Sequence, residues 1–359
     1  MYNKNGITFS IERVLTMEIS DKILEFLGNA VGGNGVIVIL LSIVFLVLGF
    51  VMLIKGADWF VDGASKVAIK LNVPLIVIGL TIVAFGTSAP ELAVSVTSAL
   101  SDNTGIAVGN VIGSNIINVL IILGMSALFT KLPLKKTTFR YEIPFVILIT
   151  IVLLIEGLDG NLSKIDALIL LTLFVAFFVY LIVLSKKGDS DAAEDVAKLT
   201  EKDTVLTMIL FILVGLAMIV FGSDFTVTGA TRIAQAIGVE PRLIGLTVVA
   251  FGTSLPELVT SVTAARKNCA DIAIGNIVGS NIFNILLILC ITGVVSPSPI
   301  GFEKIFLIDG LVALYSVVIL WLLVMKDKKL AKAGGIVMIL SYALYFVYLV
   351  LQPMIFGTV

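Results

Sequence analysis

Two glutamates sit in sequence otherwise apolar enough for a membrane interior. Glu91 lies in IGLTIVAFGTSAPELAVSVTSALSDNTGIAVGNVIGSNIINVLIILG (78–124), and Glu257 in IGLTVVAFGTSLPELVTSVTAARKNCADIAIGNIVGSNIFNILLILC (244–290). The two stretches align without a gap at an offset of 166, with 29 of 47 positions identical, so the chain carries an internal duplication. Identity is densest in GTSxPE and GNxxGSNIxN, where polar and helix-breaking residues interrupt apolar runs. The duplicated feature therefore reads as one ion-binding centre made of two half-sites.

Pro90 and Pro256 lack the backbone donor for the carbonyl four residues back, and each pushes its preceding residue out of helical angles. A helix break is expected at each proline, on the residue before it, with Gly86 and Gly252 left holding free carbonyls. Carbonyls of Ala84, Thr87, Ala250 and Thr253 can then turn toward a cation, because irregular backbone at membrane depth is tolerated where it lines a cavity. Glu91 and Glu257 supply the charge. Facing each other in a low-dielectric interior, they repel unless a cation or proton lies between them. Carboxylates with carbonyl and hydroxyl oxygens suit Ca²⁺, which takes 6 to 8 hard ligands, and the same oxygens rearranged can hold Na⁺. Softer metals would want Cys or His; the chain has no histidine and only Cys269 and Cys290, which read as packing residues.

In the second motif Ser114 and Asn118, like Ser280 and Asn284, are four apart and share a helix face. Asn110, Asn115, Asn276 and Asn281 are also available. Gly109, Gly113, Gly275 and Gly279 form a small-xxx-small face whose ordinary role is close helix packing.

Hydrophobic residues make up 58% of the 359 and charged residues 14%, which marks an integral membrane protein with many spans. Alternating barrel strands are absent, so the expected fold is an all-α polytopic membrane protein. Ten transmembrane helices are expected, near 35–54, 74–100, 105–129, 142–157, 165–185, 205–222, 241–265, 271–295, 305–325 and 333–352. Residues 1–33 form an extension with at most a short surface helix, without a recognisable signal peptide, and Met17 is a candidate start. Residues 34–185 form the first repeat, 186–204 a charged linker and 205–352 the second repeat. Five spans per repeat is an odd number, so the halves are inverted about an axis in the membrane plane, the plan of many secondary transporters. Loops on one face hold 17 of the 24 Lys and Arg. The positive-inside rule puts that face, with the linker, in the cytoplasm and both termini outside a cell membrane. The similarity also reaches upstream, where a GxD(W/F)xxxGA-like pattern is expected to end the first helix of each half, with Asp58 and Asp224 as edge residues that cap or bridge.

At these residues the chain resembles the cation/calcium exchanger superfamily, and within it the microbial sodium/calcium exchangers, over residues 35 to 352. GTSAPE, GTSLPE, GNVIGSNIIN and GNIVGSNIFN are similar to that family's paired alpha repeats. The resemblance implies antiport of Na⁺ against Ca²⁺, with no cofactor beyond the transported ions, no enzyme activity and no nucleic-acid partner; a monomer in the lipid bilayer suffices. It implies a central calcium site from Glu91, Glu257 and the Thr87 and Thr253 carbonyls. It further implies flanking sodium sites using Ala84, Ala250, Ser88, Ser254, Ser114 and Ser280, and an inner position ringed by Asn118, Asn284 and both glutamates. Some relatives carry Asp where this chain has Asn118 or Asn284. Two neutral amides favour exchange without K⁺.

Three other readings use the same residues. A proton/calcium antiporter would load the glutamates with H⁺ and leave the hydroxyl and amide ligands idle. A channel would be expected to show a ring of charges from a symmetric oligomer. An intramembrane enzyme built on a carboxylate dyad leaves Ser, Thr and Asn unexplained.

Overall fold

The computed structural model describes residues 21–26, 35–100, 104–186, 199, 203–238 and 250–356. The beginning of the span expected at 241–265, most of the linker and most of the N-terminal extension lie outside the described residues. Of the extension, 21–26 is a short helix.

The helices in order are α1 (Gly35–Leu71), α2 (Leu75–Thr87), α3 (Ala89–Leu100), α4 (Thr104–Phe129), α5 (Thr138–Asp159), α6 (Lys164–Ser185) and α7 (Val205–Ala236). There follow α8 (Ala250–Thr253), α9 (Leu255–Arg266), α10 (Ala270–Val295), α11 (Lys304–Leu323) and α12 (Lys332–Phe356). Eight are long and apolar enough to cross a membrane, and α2 with α3 forms a further candidate span bent by 47°. The fold is helical and polytopic; its strands are two-residue pairings between loops.

α1 and α7 are longer than expected. The GxD pattern lies inside each helix instead of ending it, because the first left-handed stop comes only at Asn72 (φ 51) and at Gly238 (φ 83), 166 residues apart. Pro74 follows the first stop. Asp58 is bridged by Lys267, 3.3 Å away, while its repeat mate Asp224 is buried.

The two long helices run antiparallel in close contact. Glycines recur every seven residues on both, at 49, 56 and 63 and at 215, 222 and 229. A Cβ on Gly56 would lie 2.8 Å from the Gly215 carbonyl oxygen, and one on Gly222 would lie 2.9 Å from that of Gly49. Backbones this close leave no room for a side chain at the glycine positions, as in small-residue packing between membrane helices.

α4 and α10, which carry the GNxxGSNIxN copies, are the most deeply buried spans. α10 crosses α2 where Gly275 meets Gly79: a Cβ on Gly275 would be 2.9 Å from the Gly79 Cα. Loops segregate to two ends of the bundle. At one end Leu132 and Pro133 pair with Leu330 and Lys329, Lys135 meets Asp271 at 3.3 Å, and Lys66 meets Asp203 at 2.6 Å. At the other, Asn161 and Leu162 pair with Gly301 and Ile300, Thr104 accepts from the Gly301 amide, and Arg232 meets Asp21 at 2.9 Å.

The glycine seam makes a sharp prediction. Gly222→Leu must displace α1, and overpacking of this kind costs about 1 to 3 kcal/mol or more. Gly105→Ala meets its nearest neighbour at 3.8 Å and should be silent. Thermal unfolding in detergent should show a clear loss of melting temperature for the first and none for the second.

Candidate ion-binding site

Each motif does break its helix, but one residue earlier than proline sterics predict: Ala89 and Leu255, which precede the prolines, are already helical. Ser88 (φ −82, ψ 6) and Ser254 (φ −90, ψ 2) interrupt their helices with nearly the same backbone angles, and each glutamate falls in the first turn of the helix that follows. Ser88 and Ser254 still accept from Leu92 and Leu258 amides, so each break is a bend rather than a gap.

Both glutamates are buried, Glu91 to 1% exposure and Glu257 to 0%. Thr87, Ser88, Ser114, Asn118, Thr253, Ser254, Ser280 and Asn284 are buried with them. Ala84 is also buried, and Ala250 begins the described part of its helix. Ser88 Oγ donates to Glu257 Oε1 at 3.1 Å and contacts Ser280 Oγ at 3.0 Å. The mirror arrangement is not made. Ser254 Oγ and both carboxylate oxygens of Glu91 have no hydrogen-bond partner among the described residues. Glu257 Oε2, Asn118 Oδ1 and Asn284 Oδ1 share that condition, so six buried oxygens from five residues are unsatisfied. Each such group costs about 1 to 3 kcal/mol, more when charged, unless something electropositive meets it. Hard, neutral or anionic oxygens are the donor set for Na⁺ or Ca²⁺.

The carbonyls behave less simply. Ala84 O accepts from the Ser88 amide at 3.0 Å and from Thr87 Oγ1 at 3.4 Å. The Gly252 carbonyl that Pro256 frees is taken up by Ser223 Oγ of α7 at 2.7 Å, a contact for which the first repeat has Ala57 and no hydroxyl.

Asparagines do the holding. Asn110 Nδ2 donates to the Glu91 carbonyl at 3.2 Å and to Ser95 Oγ at 3.1 Å; Asn276 Nδ2 donates to the Glu257 carbonyl at 3.4 Å and to Ser261 Oγ at 2.9 Å. The same brace thus appears in both halves. Asn276 Oδ1 also accepts from Thr87 Oγ1 at 3.0 Å, tying one half to the other. Asn115 and Asn281 donate reciprocally to each other's carbonyls at 3.4 and 3.3 Å. Asn118 Nδ2 donates to Asn281 Oδ1 at 3.1 Å and Asn284 Nδ2 to Asn115 Oδ1 at 3.0 Å. With their NH₂ groups fixed in this way, Asn118 and Asn284 keep their Oδ1 atoms unsatisfied. A π-helical turn opens at each place, Asn118–Leu123 and Phe283–Ile288; such turns recur at functional sites.

Sequence reasoning named the ligand-type residues but not the braces. Ser95 and Ser261 went unread, although each is four residues past its glutamate and on the same helix face. That duplicated spacing was the available signal.

Comparison with known proteins bears on the family and the fold. The family model described as sodium/calcium exchanger protein matches residues 41–183 and 207–351. Sodium/calcium exchanger MaX1 of Methanosarcina acetivorans is 31% identical over 353 residues, covering 87% of this chain and 99% of that one. The putative antiporter CaxA of Alkalimonas amylolytica is 39% identical over 264 residues, 73% of this chain and 83% of its own length. Among solved structures, the sodium-calcium exchanger NCX_Mj, soaked with Na⁺ and Ca²⁺, superposes with a TM-score of 0.74 at 32% identity, over 86% of this chain and 98% of that one.

If the braces position the glutamates, Asn110→Leu and Asn276→Leu should each weaken Ca²⁺ binding. Loss of one such hydrogen bond, about 0.5 to 1.5 kcal/mol, corresponds to roughly 2- to 12-fold in Kd. Asn276→Leu also strips Thr87 of an acceptor and should be the worse of the two. Calorimetric titration in detergent checks both; wild-type affinity in either variant would show that its brace is dispensable.

Proposed function

This chain belongs to the sodium/calcium exchanger family, a microbial member of the cation/calcium exchanger superfamily, and from that premise we propose that it exchanges Na⁺ for Ca²⁺ by alternating access. The observation that carries the reading is the pair of buried glutamates, placed by duplicated helix breaks and surrounded by unsatisfied neutral oxygens. Relatives that bear the printed names of exchangers and antiporters support the class.

In this reading ten spans form two inverted repeats, the seventh of them being the span expected at 241–265, whose described part is α8 and α9. The loop end that gathers Lys66, Lys135, Lys267 and Lys329 is cytoplasmic, and both termini are outside. Glu91 and Glu257 hold Ca²⁺ with the Thr87 and Thr253 carbonyls. Ala84, Ser88 and Ser280, and opposite them Ala250, Ser254 and Ser114, serve flanking Na⁺ sites; Asn118 and Asn284 complete the inner ring. Ser88 bonds Glu257 on one flank, while on the other Ser254 and Glu91 have no hydrogen-bond partner among the described residues.

Movement belongs to α1 and α7. Joined through their glycine seam, they form a unit that slides across the α2–α4 and α9–α10 core, and Lys267, bonded to Asp58 and Asp62, fastens α1 to the end of α9. Coupling follows from charge: a centre with both carboxylates uncompensated is too costly to carry through hydrocarbon, so the slide occurs when cations fill it. With both asparagines neutral, exchange needs no K⁺. A ratio of three Na⁺ to one Ca²⁺ would move one charge per cycle, worth about 2.3 kcal/mol per 100 mV.

Proteoliposomes loaded with Na⁺, Li⁺, K⁺ or a pH gradient distinguish the couplings. An outward Na⁺ gradient alone should drive ⁴⁵Ca²⁺ uptake, accelerated by inside-positive voltage and indifferent to K⁺. Uptake that follows the pH gradient and ignores Na⁺ would instead make the chain a proton/calcium antiporter.

A further inference from the structure

A cavity of about 390 Å³ lies between α5 and α6, away from the glutamates, within the size range of ligand pockets. Its origin is local. The chain enters α5 through a π-helical turn, Thr138–Glu142, and Pro144 follows at once, so the wall is splayed at that end. On α6 the facing residue is Ala176, too small to fill the gap, with Phe177 below and Phe145 and Leu148 across.

Polarity changes along the cavity as it does along a phospholipid. Arg140, Tyr141, Glu142 and Tyr180 line the end nearest the basic loops, while Phe145, Leu148, Ala176 and Phe177 line the rest. The cavity opens on the lipid-facing surface, since Tyr141 is 59% and Leu148 49% exposed. The accessible charge at its head is positive. Glu142 is buried and accepts from the Tyr180 hydroxyl, whereas Arg140 is exposed and makes no ion pair among the described residues.

The second half has no equivalent. By the offset of 166, Phe306 stands for Arg140 and Ile308 for Glu142. Tyr342 stands for Ala176, and its buried ring packs on Phe251, Tyr345 and Phe346. A feature kept out of one repeat is not part of the duplicated ion machinery.

We propose that this cavity is a binding site for one acidic phospholipid, with an acyl chain between α5 and α6 and the phosphate on the Arg140 guanidinium. Arginine pairs with phosphate through its planar fork of donors, and acidic headgroups favour basic side chains near the surface. The exchange reading is not needed for this inference; it rests on the membrane location alone.

Native mass spectrometry of the full chain, titrated with phosphatidylglycerol and separately with phosphatidylcholine of the same chains, tests it. The first phosphatidylglycerol should bind at least about ten-fold tighter than the first phosphatidylcholine. Ala176→Tyr, the residue the second half uses, should weaken that first binding event by about the same factor. Arg140→Gln should erase the headgroup preference. Equal retention of the two lipids by the wild type overturns the proposal, as does wild-type affinity in a monodisperse Ala176→Tyr protein. Should that variant not fold, Arg140→Gln decides, because it alters only an exposed side chain: an undiminished preference for phosphatidylglycerol also overturns it.

Discussion

Two carboxylates buried at membrane depth, with three of their four oxygens lacking any hydrogen bond among the described residues, set the terms for everything around them. In hydrocarbon such charges are expensive singly and worse together. Among the described residues no lysine or arginine forms an ion pair with them. The surrounding structure supplies instead the Ser88 hydroxyl, which donates to Glu257, and two amides whose NH₂ donors are spent elsewhere. Asn118 and Asn284 show the principle: each spends its NH₂ on the opposite half and keeps its oxygen unsatisfied.

Duplication explains why the arrangement is nearly symmetric, and its exceptions show where the halves differ. Both glutamate carbonyls are held by an asparagine-serine brace, and both breaks fall on a serine. Yet only Ser88 donates to the opposite glutamate, and only the Gly252 carbonyl finds a hydroxyl partner on a long helix. Lys267 likewise ties α1 to the core from one half.

Much of this was legible because membrane constraints leave few options. Long apolar runs fixed the helical class, and a proline after GTS predicted a break in each motif, which falls on Ser88 and Ser254 instead of on the residue before the proline. The lengths of α1 and α7 were not legible: charged residues from Lys55 to Lys70 look like a loop by hydropathy, but they form further helix because nothing stops it before Asn72. Freed carbonyls were foreseen at Gly86 and Gly252, whereas the capture of one by Ser223 depends on a neighbour 29 residues away. Asn115 and Asn281 read as spare ligands; they act as cross-links, because which side of an amide meets the ion is decided by tertiary packing. The π-helical turns at Asn118–Leu123 and Phe283–Ile288 leave no mark in hydrophobic periodicity at all.

The most direct test is melting temperature in Na⁺-free buffer, with and without Ca²⁺, for the wild type and for Glu91→Gln. Unpaired repulsion at the centre should make the Ca²⁺-free wild type the less stable of the two, and Ca²⁺ should raise its melting temperature by mass action. Glu91→Gln should melt higher than the wild type without Ca²⁺ and lose the response to the ion. A variant that melts lower and still responds to Ca²⁺ like the wild type would contradict the account, placing the cation somewhere other than between the two glutamates.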